Sequence, residues 1–466
     1  MTKIVNVILI IFVGIHYSYQ YLVFNFKTNI DPSTLNENNY MNTTFDQKLY
    51  VNFNLGDSHQ IIPMTIKTQQ LPTYVVSSCV SDKIDVKYNE SESHDSFHKI
   101  TSYIIDELYK YDFTAGCLVN DTLTLNSSLA YKNFTFMLAT KVNVIAKNIS
   151  GEIGLSIQQQ NEPQYIIPDR NKFLDQLKDN NLIKNKIFGI VYDTEYEGRL
   201  ILGTYLHKLD TIYNEDDMIT GAIEDIQDKN RGKWHIDFNL KLIQGKYEEE
   251  IYLEEGTYGL IMYEIGLIIG SQTFRENFVV DYFKNRGCNE AWISSKPFSF
   301  YQYSCDTKEQ FADFPDIVFV GPGKYIFNFT KDELFKKIGK QYIFQIVFEI
   351  INLEINYWRL GQTFFRKYNT FITWNEKQST ISFYPVKKTK SFNKNFNSKK
   401  LSSQIIFIII LIIILFVLIG VIIYFYFFCE KKGRKKRAME LPDEEYEYTQ
   451  GEENNIQQSN KNLLDE

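Results

Sequence analysis

The sequence predicts a mostly-β domain with a few short helices, held outside the cytosol and followed by one C-terminal membrane-spanning helix. Three observations carry this reading. Short runs rich in Tyr, Phe, Ile, Val and Thr recur between turn residues through the first 385 positions. An apolar run of 24 residues without charge or proline stands at 405–428. A shorter apolar run, Ile4–Ile15, follows Lys3 at the N-terminus.

The strand reading rests on period-two alternation in segments such as KLYVNFNLG, QIIPMTIKT, TYVVSSCV, DTLTLN, NFTFMLAT, KIFGIVYD and RLILGTY, the pattern of half-buried strands. Helical periodicity is scarce, and NKFLDQLKDNNLI and KDELFKKIGK carry it best. Residues 1–20 have a charged start and an apolar stretch too short to span a bilayer, the shape of a secretory signal. As a helix, 405–428 would extend about 36 Å, enough for a tilted crossing, and it has no polar face for a soluble setting. Both flanks are lysine-rich, EKKGRKKR after it and VKKTKSFNKNFNSKK before it. The signal therefore sets the orientation, with the N-terminus extracellular or luminal and the C-terminal tail cytoplasmic.

The resulting plan is a signal peptide at 1–20, an N-terminal segment at 21–48, a folded region at 49–386 and a Lys/Asn-rich stalk at 387–404. The membrane helix at 405–428 and a tail at 429–466 complete it. The tail is basic, then acidic and poor in apolar residues, which predicts disorder. Cys429, at the membrane face, is either a palmitoylation position or an idle thiol. Glycosylation sequons start at Asn42, Asn89, Asn120, Asn126, Asn133, Asn148 and Asn328, all ahead of the membrane run. With 50 Lys and Arg against 57 Asp and Glu the net charge is −7, which argues against a nucleic-acid partner. No Gly-x-Ser-x-Gly, P-loop or metal-spaced His/Cys set occurs, so neither a metal nor a cofactor is expected. Four of the five cysteines lie in the oxidising compartment; the pairings Cys288–Cys305 and Cys79–Cys117 are preferred among three.

The order of the segments resembles a pepsin-like aspartic protease. LYVNFNLGDSHQIIPMTI at 49–66 is similar to the opening strand pair of that family, and TYVVSSC at 73–79 follows it as expected. DFTAGCLVNDTLTL, GEIGLSI, KFLDQLKDNNLIKNKIFGIVYD with GRLILGTYLHKLD, KWHIDFNLKLIQGK and finally YWRLGQTFFRKYNTFITWNEKQSTISFYP continue the resemblance in order. It covers 49–385 and implies a bilobal fold, an N-terminal lobe at 49–210 and a C-terminal lobe at 211–386, with a cleft for a peptide or protein ligand between them.

The resemblance also implies two catalytic aspartates that share a proton and activate water. Neither is present. The ungapped match from Gly56 to Cys79 places Lys67-Thr68-Gln69-Gln70 on Asp-Thr-Gly-Ser, and a charged ammonium cannot accept the proton of attacking water. In the second lobe the preferred register puts Glu254 on the aspartate, with Gly256 and Thr257 after it; a shift of eight residues puts Met262 there instead. The flap tyrosine falls on Tyr109. Asp121-Thr122, Asp193-Thr194 and Asp306-Thr307 lie away from both catalytic positions. The expected reading is a non-catalytic membrane protein whose cleft binds peptide, with Lys67 and Glu254 either ion-paired across the lobes or drifted to solvated side chains. An active anchored endopeptidase and a structural surface glycoprotein are the alternatives.

Overall fold

The computed structural model describes residues 21–387 apart from segments 69–72, 81–83, 85, 94–96, 105–112, 127–128, 143–149, 156–171, 223–233, 246–248, 296–297, 322–324, 351–356 and 376–378. It also describes five helical residues of the apolar run, Val417, Ile419, Gly420, Ile423 and Tyr424. The signal, most of the stalk and of the apolar run, the tail, Tyr109 and Asn148 lie outside the described residues. Among the described residues no helix is long and apolar enough to cross a membrane. The chain divides into two compact units, 1–388 and 389–466, and the fold below is that of the first.

Two large sheets form it, of 13 and 11 strands. Strand β1 (Leu22–Thr28) pairs antiparallel with β2 (Leu49–Leu55), which pairs with β3 (Gln60–Lys67). The alternation read from LYVNFNL is realised: Leu49, Val51, Phe53 and Leu55 are buried and the residues between them are not. Pro63 interrupts β3 without breaking the sheet. It faces Asn52 of β2 on one side, and the neighbour on the other side, the Gly151–Gly154 strand, pairs only from Thr65 onward. Pro63 thus stands where β3 is still an edge, so its missing N–H leaves no partner unmatched.

The first sheet also takes in the end of the chain. Strand Tyr368–Thr373 pairs with Ile187–Tyr192 and, on its other side, with Thr380–Pro385, which in turn pairs with Ile219–Ala222. The boundary drawn at 210/211 therefore divides the sequence without dividing the sheets. The second sheet is built around the hairpin His235–Gln244 and Glu249–Ile261, with Trp358–Leu360 beside it. One buried cluster includes residues of both lobes, among them Phe53, Ile66, Trp234 and Trp358. The indole of Trp234 donates to the Leu155 carbonyl oxygen at 3.0 Å, so a large aromatic is buried with its one polar atom satisfied.

The N-terminal segment joins both lobes. β1 lies in the first sheet, whereas helix α1 (Tyr40–Phe45) places Tyr40, Met41 and Phe45 in a cluster with Ile265, Leu267, Ile269, Phe300, Ile343 and Val347. The approach is close enough that a Cβ on Gly266 would come within 1.8 Å of the Thr44 carbonyl oxygen. Any side chain at 266 would push this segment off the second lobe.

Cys288 and Cys305 form a disulfide, closing a loop of sequence separation 17. The pairing Cys79–Cys117 is corrected: both are free thiols. Cys79 is exposed in a turn with its sulfur 2.8 Å from the Ser77 hydroxyl. Cys117 sits within the Phe113–Asn126 strand facing the core, where burial pushes its thiol pKa up. Of the sequon asparagines, Asn42 and Asn133 are exposed. Asn89, Asn120 and Asn328 are half-buried, and the side chain of Asn126 is outside the described residues.

Candidate functional site at the lobe junction

The ends of two strands build the junction. In the first lobe β3 runs parallel to Gly151–Gly154, with Thr65 opposite Glu152, Ile66 opposite Ile153 and Lys67 opposite Gly154. In the second, Glu249–Ile261 runs parallel to Trp358–Leu360, with Leu260 opposite Arg359 and Ile261 opposite Leu360. The next backbone bond, from Met262 N–H to the Leu360 carbonyl oxygen, is 3.0 Å. The two arrangements are alike in register: Gly154 lies opposite Lys67, and continuing the second pairing by one residue sets Gly361 opposite Met262, so Lys67 corresponds to Met262. This is the register eight residues on from the preferred one.

Glu254 does not stand at the junction, and this corrects the preferred alignment. It lies opposite Leu240, inside a strand that runs seven residues further before turning. The glycine that imitated a catalytic turn, Gly256, is a bulge. Two residues, Glu255 and Gly256, oppose the single Asn239, and Gly256 adopts φ +65°. Its N–H is held by the Asn239 side chain at 2.9 Å. Both a bulge and an Asp-Thr-Gly turn call for a glycine free of a Cβ, which is why sequence spacing alone confuses them.

Nor do Lys67 and Glu254 meet. The Lys67 ammonium lies 3.2 Å from Glu152, whose side chain is wholly buried. Glu254 instead accepts from the Ser271 hydroxyl at 3.0 Å. Burial raises the Glu254 pKa, against smaller lowering by Ser271 and Tyr252. The signal for Glu152 was present in the sequence, because GEIG carries an acid at a position the resemblance expects to be apolar.

A clasp joins the two turns. The Thr68 N–H donates to a Glu264 carboxylate oxygen at 2.5 Å. The Thr68 hydroxyl is 3.2 Å from the Ile261 carbonyl oxygen and 3.2 Å from both Glu264 oxygens. Thr68 is wholly buried and Glu264 nearly so. Behind the clasp, the Gln362 amide donates to the carbonyl oxygens of Gln47 and Tyr263, both at 2.9 Å. Arg366 reaches the Gln47 side chain at 2.6 Å. Among the described residues the junction carries a lysine–glutamate pair in one half and a methionine in the other.

The remaining aspartates serve local structure. Asp121 accepts from Ser93, from the Thr122 N–H and from the Tyr88 hydroxyl. Asp193 pairs with Arg199 at 2.9 Å. Among the described residues no group of three or more His, Cys, Asp or Glu side chains could hold a metal.

Two β lobes that meet at strand ends, each backed by a short parallel strand with a glycine at its end or just after it, define the architecture of an aspartic protease domain. The model of the eukaryotic aspartyl protease family matches residues 44–386, well over half of the chain, and the chain belongs to that family. A comparison with curated proteins gives no match.

Two substitutions test the site. Glu152→Gln removes a counter-charge 3.2 Å from a lysine that is 8% exposed, and should cost about 3 kcal/mol in denaturant unfolding, since it breaks a buried ion pair by removing one member. A loss within experimental error would show the pair to be unimportant. Glu254→Gln should act in the opposite sense. The folded-state pKa of Glu254 is raised, so folding binds its proton and stability falls as pH rises from the ordinary glutamate range through the raised value. The variant should lose less stability than the wild type between about pH 4 and pH 7, and should melt at or above it at neutral pH. A lower melting temperature at neutral pH would contradict this assignment.

Proposed function

We propose that this chain is a non-catalytic member of its family, displayed on a membrane by residues 405–428 and using its interlobe cleft to bind an extended peptide or protein segment without cutting it. The observation that carries the reading is the Lys67–Glu152 pair at 3.2 Å with Met262 as the counterpart of Lys67. Peptide hydrolysis in this family requires one ionised and one protonated carboxyl group facing the same water. An ammonium tied to a glutamate and a thioether supply neither the ionised nor the protonated carboxyl in those places.

The membrane placement rests on the charge-free run 405–428 and on the apolar stretch after Lys3. The ectodomain is then extracellular or luminal, glycosylated at exposed sequons such as Asn42 and Asn133, and the tail cytoplasmic. In sealed vesicles, protease added from the cytoplasmic side should remove the tail and leave the glycosylated remainder intact. Complete digestion, or release of the protein by alkaline carbonate, would sink the anchor.

An active endopeptidase is the competing reading. Incubated with an unfolded protein at acid pH, the purified chain should produce no fragments that a transition-state peptide inhibitor suppresses. Cleavage that the inhibitor blocks would overturn the proposal. A purely structural glycoprotein is favoured by one feature, the complete burial of Thr68 and Glu152; failure to bind any peptide would decide for it.

A further inference from the structure

The second sheet has one unprotected border. Strand Asn289–Ser295 pairs on one side with Phe298–Cys305, in a register that runs from Asn289 opposite Ser304 to Ser295 opposite Phe298. On its other side no strand adjoins it among the described residues, and its backbone makes no hydrogen bond there. Alternate residues therefore turn N–H and C=O outward, ready to pair with another chain. Folded proteins blunt such borders with lysine, proline, a bulge or brevity. The four strands that end the two sheets follow that rule. His98–Ile104 carries Lys99 at a bulge, and Phe335–Ile338 carries Lys336 and Lys337. Ile219–Ala222 and Ile326–Phe329 are only four residues long. Asn289–Ser295 has seven residues in unbroken register, without lysine or proline.

This border is also rigid, and apolar at its centre. The Cys288–Cys305 disulfide staples the base of the hairpin. Directly opposite residues share a face, so Glu290, Trp292 and Ser294 stand beside Tyr303, Tyr301 and Ser299. On that face the Arg275 guanidinium lies 3.7 Å from the centre of the Tyr301 ring and pairs with Glu290 at 3.2 Å. The Tyr303 hydroxyl donates to Glu290 at 2.5 Å. The one charge on the strand is thus already matched. Trp292 is left 70% exposed, the most exposed large apolar side chain among the described residues.

We propose that Asn289–Ser295 is a contact between two copies of this chain, paired antiparallel about a twofold axis at Trp292. A twofold contact presents the same surface from both sides, and this strand is complementary to itself. The register sets Trp292 against its own copy, Ala291 against Ile293 and Glu290 against Ser294, so no like charges meet. Tyr301 and Trp292 of each copy then line up as one row of aromatic rings, with Arg275 stacked on each outer tyrosine. Seven residues a side is less than the roughly 20–30 of a stable interface, so the dimer is weak and reversible. The proposal is independent of what the interlobe cleft binds.

The test uses the full chain in detergent micelles, followed by sedimentation velocity over a concentration series. The wild type should pass from monomer to dimer as concentration rises. Trp292→Lys sets two ammonium groups face to face and should raise the dissociation constant at least about tenfold. Its melting temperature should match the wild type, because position 292 is exposed. Trp292→Cys should give a disulfide-linked dimer on mild oxidation. The wild type, which already exposes Cys79, and Ile326→Cys, on another border of the same sheet, should not. A wild type that stays monomeric throughout, a dimer that Trp292→Lys leaves intact, or equal cross-linking in both cysteine variants overturns the proposal. A monomeric chain that captures extended peptides from a displayed library, with capture lost in Trp292→Lys, assigns the border to a foreign segment and overturns self-pairing.

Discussion

The two lobes depend on a buried threonine. Thr68 reaches from the end of β3 to the turn after Ile261, and its N–H and hydroxyl meet a carbonyl and a carboxylate of the other half. Each partner is desolvated, so each group left unmatched would cost about 1–3 kcal/mol. The surrounding elements are fixed accordingly. The parallel strands set the height of both turns, Gly266 lets α1 approach, and Gln362 ties the Gln47 segment to Tyr263.

Once the turns are held together, what stands on them decides the chemistry. Two carboxylates so close would share a proton. Lys67 instead finds Glu152 on the adjacent strand, within its own lobe. Lys67 and Glu152 therefore form a pair on adjacent strands. It neutralises charge inside one lobe and leaves the joining of lobes to Thr68 and Glu264.

Much of the fold was legible because it rests on local pattern. The alternation of LYVNFNL, the helix in NKFLDQLKDNNLI and the short Cys288–Cys305 loop are properties of neighbouring residues, and they appear as expected. The misreadings arose where one local signature serves two geometries. Gly256 satisfied a motif but closes a bulge, and Cys79 and Cys117 matched by parity but face different surroundings. Glu152 sits inside a recognisable motif, but its partner Lys67 lies on another strand, which no local pattern reveals.

The sequence alone determined the family, the order of strands and the absence of an aspartate at 67, since each depends on residue identity and spacing. Only the tertiary structure decided which residue answers Lys67 from the second lobe and which acid neutralises it. Those facts follow from strand register across long separations in the chain. A slip of one residue exchanges the two faces of a strand, and nothing in the linear order fixes the register until the sheets pack.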